Sequence, residues 1–552
     1  MERREFLNIG LLSVGGALIG PEFTYAETLK EISDSLHNTS GFYDLVINGA
    51  GMAGFYAAIE ASKRGLKVLI LDKRTSPGFD IAGKRRLWLN TNGIREWDDA
   101  MIDLFCPEGE RNEIGEPALS GVARSCYKNE LLLFAGSLKK GMLRSLLVNG
   151  IDVLLMTDIW GVVVDNQNQV CGVTIASKHG LYFVSCGSFL DVSDGSLFTR
   201  GVLGLAYEIK EAGFVVELEG VSPECPNILS VDTSWDISDN CVKLHKGKKF
   251  PDQYLLEFRF RVSTNDLSCI ERQARLLSAE IGKRLPELSP FLSESKIRYW
   301  ALESSLSVVG DIDETMFPKG YHMFTAPEIY TDCEDLSSLY VNMRKVTGMM
   351  PRYHNDRKGK FVMYAGGKTI FACGDIVRED GFELPLYDYV PNRLSVTEEN
   401  VPLLIAGGGT AGTAAALGAM RKGMTPLVVE YFNDLGGTKT VGGVSSYYFG
   451  FKDHKLIKEL EVQIKSVADT YHLKTTIPRS FYFLKKLSEA GSSVIHGAIV
   501  CNVSMKGRSV DSVLLCENGR LRRIFARLVV DATGDGTALC SSFTFRIYSW
   551  KP

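Results

Sequence analysis

At 552 residues the chain is too long for one ordinary domain and points to roughly three or four. Hydrophobic residues make up 45% and charged residues 23%, the balance of a globular protein with a real core. The net charge is only −4, and the most basic run, Lys246-Gly-Lys-Lys249, reads as a solvated loop, which argues against a nucleic-acid partner. The twelve cysteines are scattered, with no CxxC pair and no histidine at metal-ligand spacing, so no metal site is expected.

The N-terminus reads as an address. Arg3-Arg4-Glu5-Phe6-Leu7 precedes a glycine-dotted apolar stretch over 9–20, and Thr24-Tyr25-Ala26 offers small residues at the positions a signal peptidase reads. The paired arginines resemble the twin-arginine export signal, which carries folded proteins. Residues 1–26 are therefore expected to be a signal peptide and 27–42 a linker, with the mature chain exported to the periplasm or secreted. Nothing later reaches the ~18 apolar residues that a membrane span needs.

One unit then appears twice. The apolar run Asp44-Leu-Val-Ile-Asn48 leads into Gly49-Ala-Gly51-Met-Ala-Gly54, and Leu403-Leu-Ile-Ala406 leads into Gly407-Gly-Gly409-Thr-Ala-Gly412. Small-residue helices are expected over 55–64 and 413–422, each stopping at a glycine, Gly65 or Gly423. A second apolar strand ends in an acid, Asp72 or Glu430, 23 residues after the first glycine in both copies. In such a strand–GxGxxG–helix unit the first glycine makes the tight turn and the second admits a pyrophosphate. The third lets helix pack on strand, and the acid faces ribose hydroxyls. Downstream, alternating stretches over 151–163 and 493–503, then 170–175 and 510–515, predict a small three-stranded piece in each copy. It returns through strands that end in Asp191-Val-Ser-Asp194 and Asp531-Ala-Thr-Gly-Asp535.

These residues resemble FAD-dependent oxidoreductases of the glutathione-reductase-like fold. The segment Leu435-Gly-Gly-Thr-Lys-Thr-Val-Gly-Gly443 is similar to the flavin-side loop of their fumarate-reductase-like branch, and Cys373-Gly374-Asp375 to the family's closing strand. The resemblance implies an α/β fold: a Rossmann-like FAD-binding domain over 43–196 and 361–398, with an inserted α+β substrate domain over 197–360. A second FAD-binding domain over 399–552 is expected to be truncated. It implies FAD as cofactor, held by Gly49, Gly51, Gly54, Asp72, Gly374 and Asp375 in copy one. In copy two the corresponding set is Gly407, Gly409, Gly412, Glu430, Gly436, Gly437, Thr438, Asp531, Gly534 and Asp535. Copy one carries Gly83-Lys-Arg-Arg-Leu-Trp88 where copy two has its Gly-Gly-Thr loop. It alone has an insert and a closing strand, so tightly held FAD is expected there.

Between these motifs a strand over 254–262 and a helix over 270–285 are expected. Candidates for proton transfer or anion binding are His322, Arg352 and His354, with Arg344 beside them. The expected activity is FAD-dependent oxidation or reduction of a small organic molecule, with an unidentified electron acceptor. The alternatives are a non-catalytic flavoprotein relic and an exported carbohydrate-acting lyase or binding module.

Overall fold

A computed structural model describes residues 42–90, 130–352, 360–374, 382–383, 397–444 and 454–538, apart from a few single positions and short gaps within these spans. The segment expected to be an export signal, 1–26, lies outside the described residues. Among those described, no helix is long and apolar enough to cross a membrane.

The first unit opens with β1 (Phe42–Asn48), α1 (Met52–Lys63) and β2 (Val68–Asp72). It continues with α2 (Ala135–Val148), β3 (Asp152–Leu155), β4 (Asp158–Val164), β5 (Val170–Ser177) and β6 (Gly180–Asp191). The strands lie in the order β3-β2-β1-β6-β5-β4. The first four are parallel, and β4, β5 and β6 form an antiparallel meander. Successive residues of β2 serve opposite faces: Val68 and Ile70 pack toward α1, while Leu69 and Leu71 pack toward the meander. A strand covered on both faces must be apolar throughout, and that explains its unbroken Val-Leu-Ile-Leu run. Helix α1 starts three residues earlier than the sequence predicts, because the end of the glycine fingerprint itself forms the first turn. It stops where Gly65 takes φ +75°.

The inserted part is a six-stranded sheet in which β7 (Glu208–Glu219) pairs antiparallel with β8 (Tyr254–Arg261) and β9 (Ser305–Val309). Helix α3 (Leu267–Leu288) lays Ile270, Ala274 and Ile281 on Phe214, Val216 and Phe258. Its N-terminus is capped by Asp266, which accepts from Cys269 N at 3.1 Å. The strand β10 (Tyr321–Met323) then joins β6 of the first sheet. Helix α4 (Cys333–Gly348) packs on α1 through Tyr340 and Tyr56, and β11 (Lys360–Ala365) and β12 (Lys368–Gly374) extend the sheet beyond β4. The segment expected over 197–360 thus divides: its last part packs with the first unit.

The second unit contains β13 (Thr397–Ala406), α5 (Thr410–Met420), β14 (Leu427–Glu430), α6 (Lys455–Thr470) and α7 (Ile477–Glu489). It continues with β15 (Val494–His496), β16 (Ala498–Lys506), β17 (Ser509–Glu517) and β18 (Arg520–Asp531). Its order, β15-β14-β13-β18-β17-β16, and its parallel and antiparallel pairings repeat those of the first sheet. The fold class is α/β, a Rossmann-like unit with an inserted α+β domain, followed by a second unit of the same strand order.

Candidate functional site

Each unit builds a glycine cradle where its central strand meets its first helix. Gly49 (φ +112°) and Gly407 (φ +101°) make turns that an L side chain resists. A Cβ on Gly54 would stand 1.8 Å from the Gly49 carbonyl oxygen, and one on Gly412 would stand 1.7 Å from that of Gly407. The third glycine therefore allows the helix to sit against the turn. The acids brace these loops: Ala50 N donates to Asp72 Oδ2 at 2.6 Å, and Gly408 N donates to Glu430 Oε2 at 2.6 Å. Burial pushes the Glu430 carboxyl up to about 7, although Phe432 N and Gly408 N donate to it. The loop after the acid returns in the same way in both units, Gly78 N donating to Ala50 O and Gly436 N to Gly408 O, each at 2.8 Å. The strand facing the cradle also matches, with Val192 N bonded to Asn48 O and Ala532 N to Ala406 O.

This geometry corrects the loop correspondence read from the sequence. Gly78-Phe79-Asp80, rather than the run beginning at Gly83, stands opposite Gly436-Gly437-Thr438. Asp80 thus occupies the place of Thr438, and Met52 N at the start of α1 donates to its Oδ2 at 2.8 Å. Among the described residues no carboxylate accepts from the equivalent Thr410 N–H. Just past the end of the facing strand β6, Asp194 stands where the second unit has Gly534. Arg74 is bound by Asp194 and Glu303, and Lys84 lies 3.2 Å from Asp194. Burial works against charge on Asp194, but Arg74 and Lys84 overrule it and hold the carboxyl well below its ordinary value. Burial raises Asp80, with Met52 N–H and Lys84 opposing. Asp80, Arg74 and Glu303 belong to no motif read from the sequence, and Lys84 appears there only within the run beginning at Gly83.

The family model described as FAD dependent oxidoreductase matches residues 44–211 and 402–542, more than half of the chain. The chain belongs to the FAD dependent oxidoreductase family. As a member of it, the protein uses FAD as cofactor. Curated relatives include a digeranylgeranylglycerophospholipid reductase of Methanocella arvoryzae, 29% identical over 166 residues, or 28% of this chain and 39% of that protein. One of the opine oxidase subunits of Agrobacterium tumefaciens is 48% identical over 54 residues, 10% of each chain. The chain therefore spans well under two thirds of the length of these relatives. Among solved structures, a geranylgeranyl bacteriochlorophyll reductase-like protein of Thermoplasma acidophilum aligns with a TM-score of 0.39 and 14% identity, covering 56% of this chain and 77% of that one. Glycine oxidase of Bacillus cereus aligns at 0.36 and 14%, covering 57% and 99%.

The second cradle fits the pyrophosphate of this family's FAD. Among the described residues, a Cβ on Gly409 would have only Gly437 Cα nearby, at 3.9 Å, and Gly534 has nothing within 4 Å of its Cβ position. The first cradle, as it stands, holds the Asp80 carboxylate at that point.

The proton-transfer candidates are dispersed. His322 lies half-buried on β10, in register with Leu190, and burial lowers its pKa so that it is neutral near pH 7. Arg352 lies against Gly65, beyond the C-terminal end of α1. The 12 residues of α1 put about 18 Å between that end and the cradle. Arg344 is an exposed partner of Glu60 on the outer helical face. Gly374 ends β12, whereas His354 and Asp375 lie outside the described residues.

Proposed function

We propose that the chain is an exported FAD-dependent oxidoreductase of a small organic substrate, built from two FAD-type units in tandem and passing electrons to a separate acceptor. One observation carries the tandem reading. Gly49 and Gly407, Gly78 and Gly436, and Asp72 and Glu430 are each 358 residues apart, and equivalent members make equivalent hydrogen bonds. FAD, when bound, supplies the two-electron redox chemistry. The chain supplies the glycine cradle, the helix N-terminus and a neutral, half-buried His322 as the candidate proton carrier. The relatives' names include a reductase and an oxidase, so this reading covers either direction of electron flow. Export is supported by Arg3-Arg4 and the apolar stretch after them.

One experiment addresses both parts. The tagged chain is recovered separately from periplasm and cytoplasm, its flavin is extracted and identified, and the bound flavin is followed anaerobically with small organic substrates. The expected outcome is a yellow periplasmic pool whose flavin is FAD and is bleached by a substrate class. Colourless protein, or protein wholly retained in the cytoplasm, overturns the corresponding part.

A further inference from the structure

The two cradles share a backbone and differ in charge. In a dinucleotide cradle the second glycine clears the space that a phosphate enters. In the first unit that space is filled from within: a Cβ on Gly51 would stand 2.7 Å from Asp80 Oδ2. The same oxygen accepts from Met52 N, one of the N–H groups that a phosphate would take at the start of α1. Of the cations lining the cradle among the described residues, Arg74 is committed to Asp194 and Glu303, and Lys84 to Asp194. Gly195, beside Asp194, packs against β9, where Val308 stands 2.4 Å from its Cβ position. The second unit has threonine and glycine at the two acidic positions, Thr438 and Gly534, and the space over Gly409 and Gly534 is open among the described residues.

We infer that Asp80 and Asp194 are specificity determinants that exclude a dinucleotide pyrophosphate from the first cradle, leaving the second, at Gly407, Gly409 and Gly412, to hold the FAD. Asp80 serves as the resident anion of α1. A pyrophosphate that entered would have to displace it and would meet a second carboxylate, with neither cation free. This rests on the tandem FAD reading and reverses the preference for copy one drawn from motif completeness.

The test measures flavin per chain and FAD affinity by flavin fluorescence on the full-length protein, with thermal melts to confirm folding. The parent should hold one FAD per chain. Gly409→Val should weaken binding at least a hundredfold, and Gly51→Ala should leave stoichiometry and affinity within about twofold. Adding Asp80→Thr and Asp194→Gly to Gly409→Val should restore binding, now at the first cradle, with at least a tenfold gain. The same pair in the parent should raise stoichiometry toward two. Loss of flavin in Gly51→Ala with retention in Gly409→Val overturns the inference, as does a parent with two FAD per chain. If Gly409→Val unfolds, Gly409→Ala at the same position gives the comparison, and retention of full affinity there also overturns it. A folded parent that binds no FAD at any concentration overturns the family-based reading itself, and the inference with it.

Discussion

Glycines in one helix can have opposite roles, and α5 separates them. Gly412 is buried with its Cβ position 1.7 Å from the Gly407 carbonyl oxygen, so any side chain forces the helix off the turn. Gly418 is exposed further along the same helix, and its Cβ position has no described atom beyond the helix's own backbone within 4 Å. Gly412→Ala should therefore cost about 2–3 kcal/mol through overpacking, while Gly418→Ala should stabilise by about 0.5–1 kcal/mol through helix propensity. Urea midpoints of the two variants decide the matter, and shifts of the same sign would defeat the account. The fingerprint glycines were legible in the sequence because a turn, a close approach and a helix contact each demand the missing side chain. Asp80 was not, because it belongs to no motif. Only the constant separation of 358 residues, carried on past the acids, sets it against Thr438.

At the level of elements, β14 and β15 carry two buried groups whose titrations oppose each other. Glu430 and His496 are register partners on these adjacent parallel strands. Burial raises Glu430 from 4.5 to about 7, so the folded state binds its proton more tightly. Its stability contribution is present at low pH and is lost as pH rises from about 4.5 to about 7, a change of roughly 3–4 kcal/mol. Burial, with Arg275, lowers His496 from 6.5 to about 3, and the neutral ring donates from Nδ1 to the Phe432 carbonyl at 3.1 Å. Its contribution is present above about 6.5 and is lost as pH falls toward 3, a change of roughly 3–5 kcal/mol. Between about pH 4.5 and 6.5 the two slopes oppose each other. Glu430→Gln should leave stability rising with pH across that window, and His496→Gln should leave it falling, as read from urea unfolding at a series of pH values. Identical slopes in the two variants would remove the argument. The strand and helix order was legible from apolar runs and turns, and Glu430 was legible as the acid of the motif. His496 was not, because its burial comes from α3, where Ser268 Oγ accepts from His496 N at 2.9 Å.

For the whole molecule, the repeat was legible in the sequence and the docking of its parts was not, because no periodicity marks contacts between distant segments. Lys73 and Tyr431, the residues following the two acids, meet through a hydrogen bond from the Tyr431 hydroxyl to the Lys73 carbonyl. Asp158 at the start of β4 accepts from Gly519 N in the β17–β18 turn at 2.8 Å. The inserted domain is tied more closely still. Leu473, Ile477 and Phe481 of the second unit belong to the apolar core beneath α3, and Trp300 Nε1 donates to buried Asp434 at 2.8 Å, with Arg275 Nε 3.7 Å from the same carboxylate. Cutting the chain between 398 and 399 would leave Arg275 without Asp434 and expose an apolar face on each piece. Motif completeness alone predicts that residues 42–398 fold independently; the shared core predicts otherwise. Expressed separately, residues 42–398 and 399–552 should both be poorly soluble, and co-expressed they should be recovered as one complex with the flavin content of the intact chain. Within that complex Asp434→Ala should weaken association, because buried Trp300 Nε1 loses its acceptor, at a cost of about 1–3 kcal/mol, while Arg275 keeps Glu271 at 2.6 Å. Co-purification and urea unfolding of the split pair provide the measurement. A soluble, cooperatively unfolding 42–398 fragment that gains no stability from its partner would show that the interface contributes nothing to the fold of the first half.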